Sequence, residues 1–168
     1  MHNLNIETTE KLLDHVGWEI LCALQQDARL SYAEIGRRVG MSPPAVMERV
    51  RRMEDAGIIT GYTTKIDLAK LGLTIQAIIR VRYPGDRCMI VQELAAKTPG
   101  VLQCHHVTGD DCLIIHVAVE SMLELESLIG RFGSYGQTTT SIILSSPVTQ
   151  RVIDRRDHED EANGNGKH

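Results

Sequence analysis

Aromatic residues are scarce in this chain: one Phe, one Trp and four Tyr among 168 residues. A sheet that grips unpaired RNA bases by stacking needs aromatic side chains on its surface, so this composition argues against an RNA partner. Long apolar runs are missing too. None approaches the ~20 residues that cross a bilayer. The opening stretch, MHNLNIETTEKLLDH, has no apolar core of a secretory signal. The expected location is therefore the cytoplasm, with no membrane partner. Cys22, Cys88, Cys104 and Cys112 are widely spaced and form no C-x-x-C pair, which removes a zinc ribbon and a thioredoxin-type motif. They read as small buried thiols. H-E-x-x-H, G-x-S-x-G and a phosphate-binding glycine loop are all lacking. No metal, no cofactor and no catalytic residues are expected, and the chain reads as a non-enzyme.

Charge of one sign is also lacking overall, with a formal net of −4. Locally the picture differs. Arg37 to Arg52 holds five arginines against the single acid Glu48, a net of +4. A basic stripe inside an acidic protein is an electrostatic footprint for nucleic acid.

That stripe falls in a helical region. Val16, Ile20 and Leu24 recur every four residues behind Asp14, a candidate N-cap. Ser31 and Glu34 form a capping box that starts a second, short helix, stopped at Gly40. Ser42 with Pro43 starts a third, which runs to about Ala56 and Gly57. Two helices joined by a turn of about three residues make a helix-turn-helix. Small Gly36 lets them approach, and Ile35, Val39, Met41, Val46, Val50 and Met53 close a small core. The third helix then turns Pro44, Met47, Glu48, Arg51 and Arg52 outward, with Arg49 at the edge. A helix apolar on one side and Arg-rich on the other suits a major groove. The β-branched run Ile58–Ile66 reads as a strand-like linker or wing.

From residue 67 the period changes to two. Ile75, Ala77, Ile79, Val81 and Tyr83 share one strand face. A helix starting at Asp86 carries the stripe Ile90, Val91, Leu94 and Ala95. Strands Val101–Thr108 and Cys112–Glu120 flank a tight Gly109-Asp110-Asp111 turn. A second capping box, Ser121 with Glu124, opens a helix with Leu125, Leu128, Ile129 and Phe132, and Gln137–Pro147 is the last strand. The fold class is thus α+β: an N-terminal winged helix-turn-helix over 1–66, then a ferredoxin-like βαββαβ module over 67–150. Residues 151–168 are expected to be a disordered tail. Gln76, Ile78 and Arg80 lie on a sheet face with no helix to cover it, so the module is expected to pair with a second copy.

The runs LSYAEIGRRVGMS and RVRRMEDAGIITGY, together with CHHVTGDDCLIIHV, resemble the Lrp/AsnC family of transcription regulators, over about residues 13–148. The resemblance implies a dimer, often built into tetramers or octamers, and small amino acids as effectors. It implies that Ser31, Tyr32 and Arg38 meet phosphates. It also puts Ser42, Pro43, Pro44, Met47, Glu48, Arg49 and Arg51 on the recognition helix. Val107, Thr108, Gly109, Asp110 and Asp111 match the loop that lines the family's effector pocket, and Thr140 is a further candidate for it. Many members carry an aspartate and an aromatic after the glycine turn; here Cys112 and Leu113 stand there.

Two rivals remain beside that reading. Some relatives work on tetrapyrroles with histidines, but His105 and His106 are adjacent on a strand and point to opposite faces. A sensing module with a vestigial helix-turn-helix is the other, and the recognition-helix arginines argue against it. The expected function is a sequence-specific regulator that binds double-stranded DNA and answers to a small effector of amino-acid type.

Overall fold

Two helices of the N-terminal region begin where a side chain takes up their free amides. In the computed structural model, which describes residues 11–83 and 88–155, Asp14 caps helix α1 (His15–Gln26). Its Oδ1 accepts from the Gly17 amide at 2.8 Å. The Leu12 carbonyl folds back over this first turn so closely that a side chain at Gly17 would collide with it. Helix α2 (Tyr32–Val39) opens on the complete Ser31–Glu34 capping box and ends at Gly40, whose φ of 69° is left-handed. The Met41 amide then donates to the Gly36 carbonyl at 2.9 Å, and a Cβ at Gly36 would strike the Met41 carbonyl oxygen. Helix α3 (Pro43–Asp55) follows. Ser42 is at its N-cap by position but makes no side-chain cap bond; Pro43 at the first turn has no amide to satisfy.

The three helices enclose Ile20, Leu24, Ile35, Val46 and Val50. After α3 the amides of Ile58 and Ile59 both donate to the Met53 carbonyl, and the Tyr62 hydroxyl donates to Glu54 at 2.8 Å. The run 58–66 forms no strand. β-Branched composition favours a strand only where a neighbour completes the ladder, and none of the described strands pairs with it.

Among the described residues, 11–64 and 148–155 form one compact unit, and those within Lys65–Pro147 form another. The first unit therefore joins described residues from both sides of the sheet unit in sequence. The Ile153 amide donates to Gln25 Oε1 at 2.9 Å, and the Gln25 amide donates back to the Ile153 carbonyl at 3.0 Å. The Cys22 thiol approaches the same carbonyl at 3.6 Å. This corrects the start of the expected tail. Ile153 is tied to α1 because Gln25, which presents a donor and an acceptor together, pairs with its peptide as a strand would. The rest of that expectation, beyond residue 155, lies outside the described residues, as does the helix start at Asp86.

The second unit begins with a 3₁₀ turn, Ala69–Leu71, and continues β1 (Ile75–Arg82), α4 (Cys88–Lys97), β2 (Val101–His106), β3 (Leu113–Val119), α5 (Met122–Gly133) and β4 (Gln137–Ile142). The strands form one antiparallel sheet in the order β2-β3-β1-β4. Ala77, Ile79 and Val81 of β1 and Leu113, Ile115 and Val117 of β3 are wholly buried with Val91, Leu125 and Phe132 from the helices. Each large apolar side chain so enclosed contributes about 1.5–3 kcal/mol. Ile90, expected in the α4 stripe, is 54% exposed instead; the buried stripe is Val91 and Ala95, with Leu94 half-buried beside them. The strands are shorter than expected at both hairpin ends, so the connection between β2 and β3 is a six-residue loop, 107–112, not a tight turn. The opposite sheet face carries Gln76, Ile78 and Arg80, with Ile114 and His116 opposite on β3. Ile143 joins that face: its amide donates to the Gln76 carbonyl at 2.8 Å.

Candidate functional site

On α3, Val46, Val50 and Met53 are buried, while Pro43, Pro44, Met47, Glu48, Arg51 and Arg52 face out. Met47 is half exposed, unusual for so large an apolar group and useful where it meets a base edge or a thymine methyl. Arg51 and Arg52 make only loose pairs within the helix, with Asp55 at 3.9 Å and Glu48 at 3.8 Å. Exposed pairs of this kind contribute about 0–1 kcal/mol, so both guanidiniums can exchange a carboxylate for a phosphate at little cost. At α2, Tyr32, Arg37 and Arg38 are exposed.

Two of the expected residues are otherwise engaged. The Ser31 hydroxyl donates to Glu34 at 2.6 Å while its oxygen caps the Glu34 amide, so the group is occupied inside the capping box. The bonds that the Glu34 carboxylate accepts, first from the Ser31 hydroxyl and then from the Ser31 amide, hold it below its ordinary range, and Arg37 and Arg38 add to the effect. Arg49 is the larger departure. It is half-buried, and its guanidinium forks onto Asp14: Nη1 to Oδ1 at 2.7 Å and Nη2 to Oδ2 at 2.9 Å. The hydrogen bond from Arg49 is the main reason the Asp14 carboxyl sits below its ordinary range, and Arg49 is pushed up in return. An arginine held this way is not an outward-facing contact.

Sequence reasoning overlooked Tyr62, which stands with Tyr32 and Glu54 around a groove of about 380 Å³ floored by Leu24, Ala28 and Leu30. Burial, then the Glu54 bond, pushes the Tyr62 hydroxyl up to about 12. The GY pair after α3 was its only signal.

In the other unit, the 107–112 loop leaves β2 and returns to β3. The Val107 amide donates to the Cys112 carbonyl at 3.1 Å, closing its base, and Gly109 has a φ of 111°, which a side chain would disfavour. Thr108, Gly109 and Asp110 are exposed and Val107 is half-buried. Asp111 lies 3.6 Å from Arg80 across the open sheet face. Five of the six expected effector residues thus sit together. Thr140 does not join them. It pairs with Ile79, so it points to the helix-covered side of the sheet, while Arg80 pairs with Thr139 on the other. His105 and His106 lie opposite Ile114 and Leu113 respectively, hence on opposite faces. On the open face His116 lies 3.2 Å from Gln76 Oε1, and burial pulls its pKa below the ordinary histidine value.

Residues 13–60 match the winged helix-turn-helix DNA-binding family model, and residues 76–153 match the Lrp/AsnC ligand binding domain. Over 138 residues the chain is 34% identical to the HTH-type transcriptional regulator LrpC of Bacillus subtilis, covering 82% of this chain and 96% of that protein. The chain belongs to the Lrp/AsnC family. Its similarity extends to the leucine-responsive regulatory protein of Salmonella typhimurium, 30% identical over 141 residues, with 80% and 86% of the two chains covered. Among solved structures, B. subtilis LrpC superposes with a TM-score of 0.77 at 33% identity, covering 82% of this chain and 99% of that one. A feast or famine regulatory protein from M. tuberculosis, complexed with L-methionine, gives 0.74 at 27%, with 84% and 99% covered. This Lrp/AsnC protein thus joins a helix-turn-helix to a ligand-binding module, as transcriptional regulators of its family do.

Proposed function

We propose that this Lrp/AsnC regulator holds its operator through the outer face of α3 and through exposed residues at the two ends of α2. Tyr32 and Arg38 bind phosphates, while Ser42, Pro43, Pro44, Met47, Glu48 and Arg51 follow the major groove. An α-helix of 10–12 Å diameter fills a groove about 12 Å wide. The observation that carries this reading is the division of α3 into a buried Val46–Val50–Met53 side and an exposed arginine-bearing side. A second copy docks on the open sheet face around Ile78 and Ile114, so two recognition helices meet a pseudo-palindromic site. Tetramers or octamers then form from such dimers.

The effector is a small amino acid bound at Val107–Asp111. Exposed loop amides near Gly109 suit its carboxylate, and Asp110 suits its ammonium. The L-methionine complex of the M. tuberculosis relative supports that class. The effector acts by binding one assembly state better than another, and DNA affinity follows. The test is binding to the DNA upstream of its own gene, with and without each of the twenty amino acids. Arg51→Ala should weaken binding and lower the log–log salt slope by about one. Gly109→Thr and Asp110→Ala should abolish the amino-acid response. Wild-type protein indifferent to its upstream DNA at low salt would refute the DNA reading.

A further inference from the structure

The five arginines between Arg37 and Arg52 are not equivalent, and the geometry separates one from the rest. Arg51 and Arg52 pair within their own helix at 3.8–3.9 Å, with side chains 74% and 65% exposed. Arg49 pairs across 35 residues, with a side chain 29% exposed, in a two-pronged bond of 2.7 and 2.9 Å. Its partner is itself fixed: Asp14 accepts the Gly17 amide as the cap of α1, under a turn that the Leu12 carbonyl closes. On α3, Arg49 stands beside Val46, Val50 and Met53, at the margin of the buried stripe.

We infer that Arg49 is a positioning residue: through Asp14 it sets the roll of the recognition helix against α1, and it does not itself contact DNA. This rests on the DNA-binding reading above. The physical reason is direction. In the cluster shared with α1, α3 contributes Val46 and Val50, and apolar contact of that kind tolerates small rotations because it is non-directional. A guanidinium–carboxylate fork has a fixed plane and fixed bond directions. Rolling α3 about its axis would break the fork, leave Asp14 with its cap bond alone and swing Met47 and Arg51 off their line. The pair also cancels its own charge, so Asp14 does not repel phosphate.

The alternative makes opposite predictions. If Arg49 were a phosphate ligand held in reserve by Asp14, Asp14→Asn would release a cation. Operator affinity would rise and the salt slope would steepen. If Arg49 positions α3, Asp14→Asn keeps an acceptor for the Gly17 amide but loses the charged fork. Operator affinity should then fall, on the order of tenfold, while affinity for mixed-sequence DNA of equal length holds or rises slightly. The specificity ratio is the readout. Arg49→Lys keeps the charge but not the fork, so it should lose specificity in the same way. The double variant Asp14→Asn with Arg49→Ala should be no worse than Arg49→Ala alone.

Operator and mixed-sequence binding are measured on the full chain across a salt series, with helix content followed by circular dichroism. Tighter operator binding by Asp14→Asn, an unaltered specificity ratio in Arg49→Lys, or loss of helix in both would overturn the inference. A wild-type protein with no operator preference at all would instead overturn the DNA reading on which it rests.

Discussion

In the sheet unit the enclosed cluster runs from Ala77 to Phe132 and holds large side chains from β1, β3, α4 and α5. In the helical unit it comes down to Ile20, Leu24, Ile35, Val46 and Val50. With so small a cluster, the helical unit relies more on directed contacts: the Asp14–Arg49 fork, the Ser31–Glu34 box, the close pass of Met41 over Gly36 and the Gln25–Ile153 pair. Burial supplies most of the free energy of folding but specifies orientation weakly, whereas hydrogen bonds contribute about 0.5–1.5 kcal/mol each and specify it well. A unit that must present one helix at one angle leans on the second kind. A unit built around one sheet leans on the first.

The sheet unit is the more sensitive to loss of buried volume. Phe132 is fully buried, and Phe132→Ala should destabilise the protein by about 3–5 kcal/mol, seen as a drop in the urea midpoint. A loss below about 1 kcal/mol would mean that this core is not the main reservoir. Gly36→Ala comes next. Its methyl would collide with the Met41 carbonyl, so the turn between α2 and α3 must shift, at a cost of about 1–3 kcal/mol. Calorimetry should locate the loss, and operator binding should fall with it. Ser31→Ala removes a cap and should cost about 1 kcal/mol by thermal unfolding.

The smallest effects are pH-dependent and concern the polar clamps alone. The Asp14 carboxyl is depressed in the folded state, so its contribution is complete above the unfolded value near 3.9 and is lost as pH falls through the lower folded value. Asp14→Asn should flatten that part of the acid limb. Tyr62 behaves in the opposite sense. Its folded value is about 12 against about 10 when unfolded, so stability declines as pH rises across that window. Tyr62→Phe should remove the decline. Urea midpoints over both ranges check the pair.

Much of this architecture was legible because its signals are local. The Ser31–Glu34 spacing, the Gly40 stop and Pro43 announce two helices and their turn without any tertiary knowledge. The alternation from Ile75 to Tyr83 announces which strand face is buried. What escaped depends on partners far along the chain. Nothing near Arg49 says that Asp14, 35 positions earlier, will claim it, since all five arginines look alike on a helical wheel. The face taken by Thr140 follows from pairing with Ile79, and no periodicity in a run of three threonines fixes that register. Ile58–Ile66 reads as a strand by composition, yet a strand is a pairing, and its partner is missing among the described strands. Ile153 looked like the edge of a polar tail because Gln25, its partner, is 128 residues away.

That last pairing bears on how the protein is made and handled. The helical unit contains described residues from before the sheet unit and, after it, residues 148–155. On the ribosome α1 emerges first, and Gln25 then waits while the whole sheet unit is synthesised before Ile153 arrives. Until that moment the unit that reads DNA lacks its final piece. A protein cut after Pro147 would leave Gln25 without that peptide, so the loss would be felt in the helical unit although the cut falls just past the sheet.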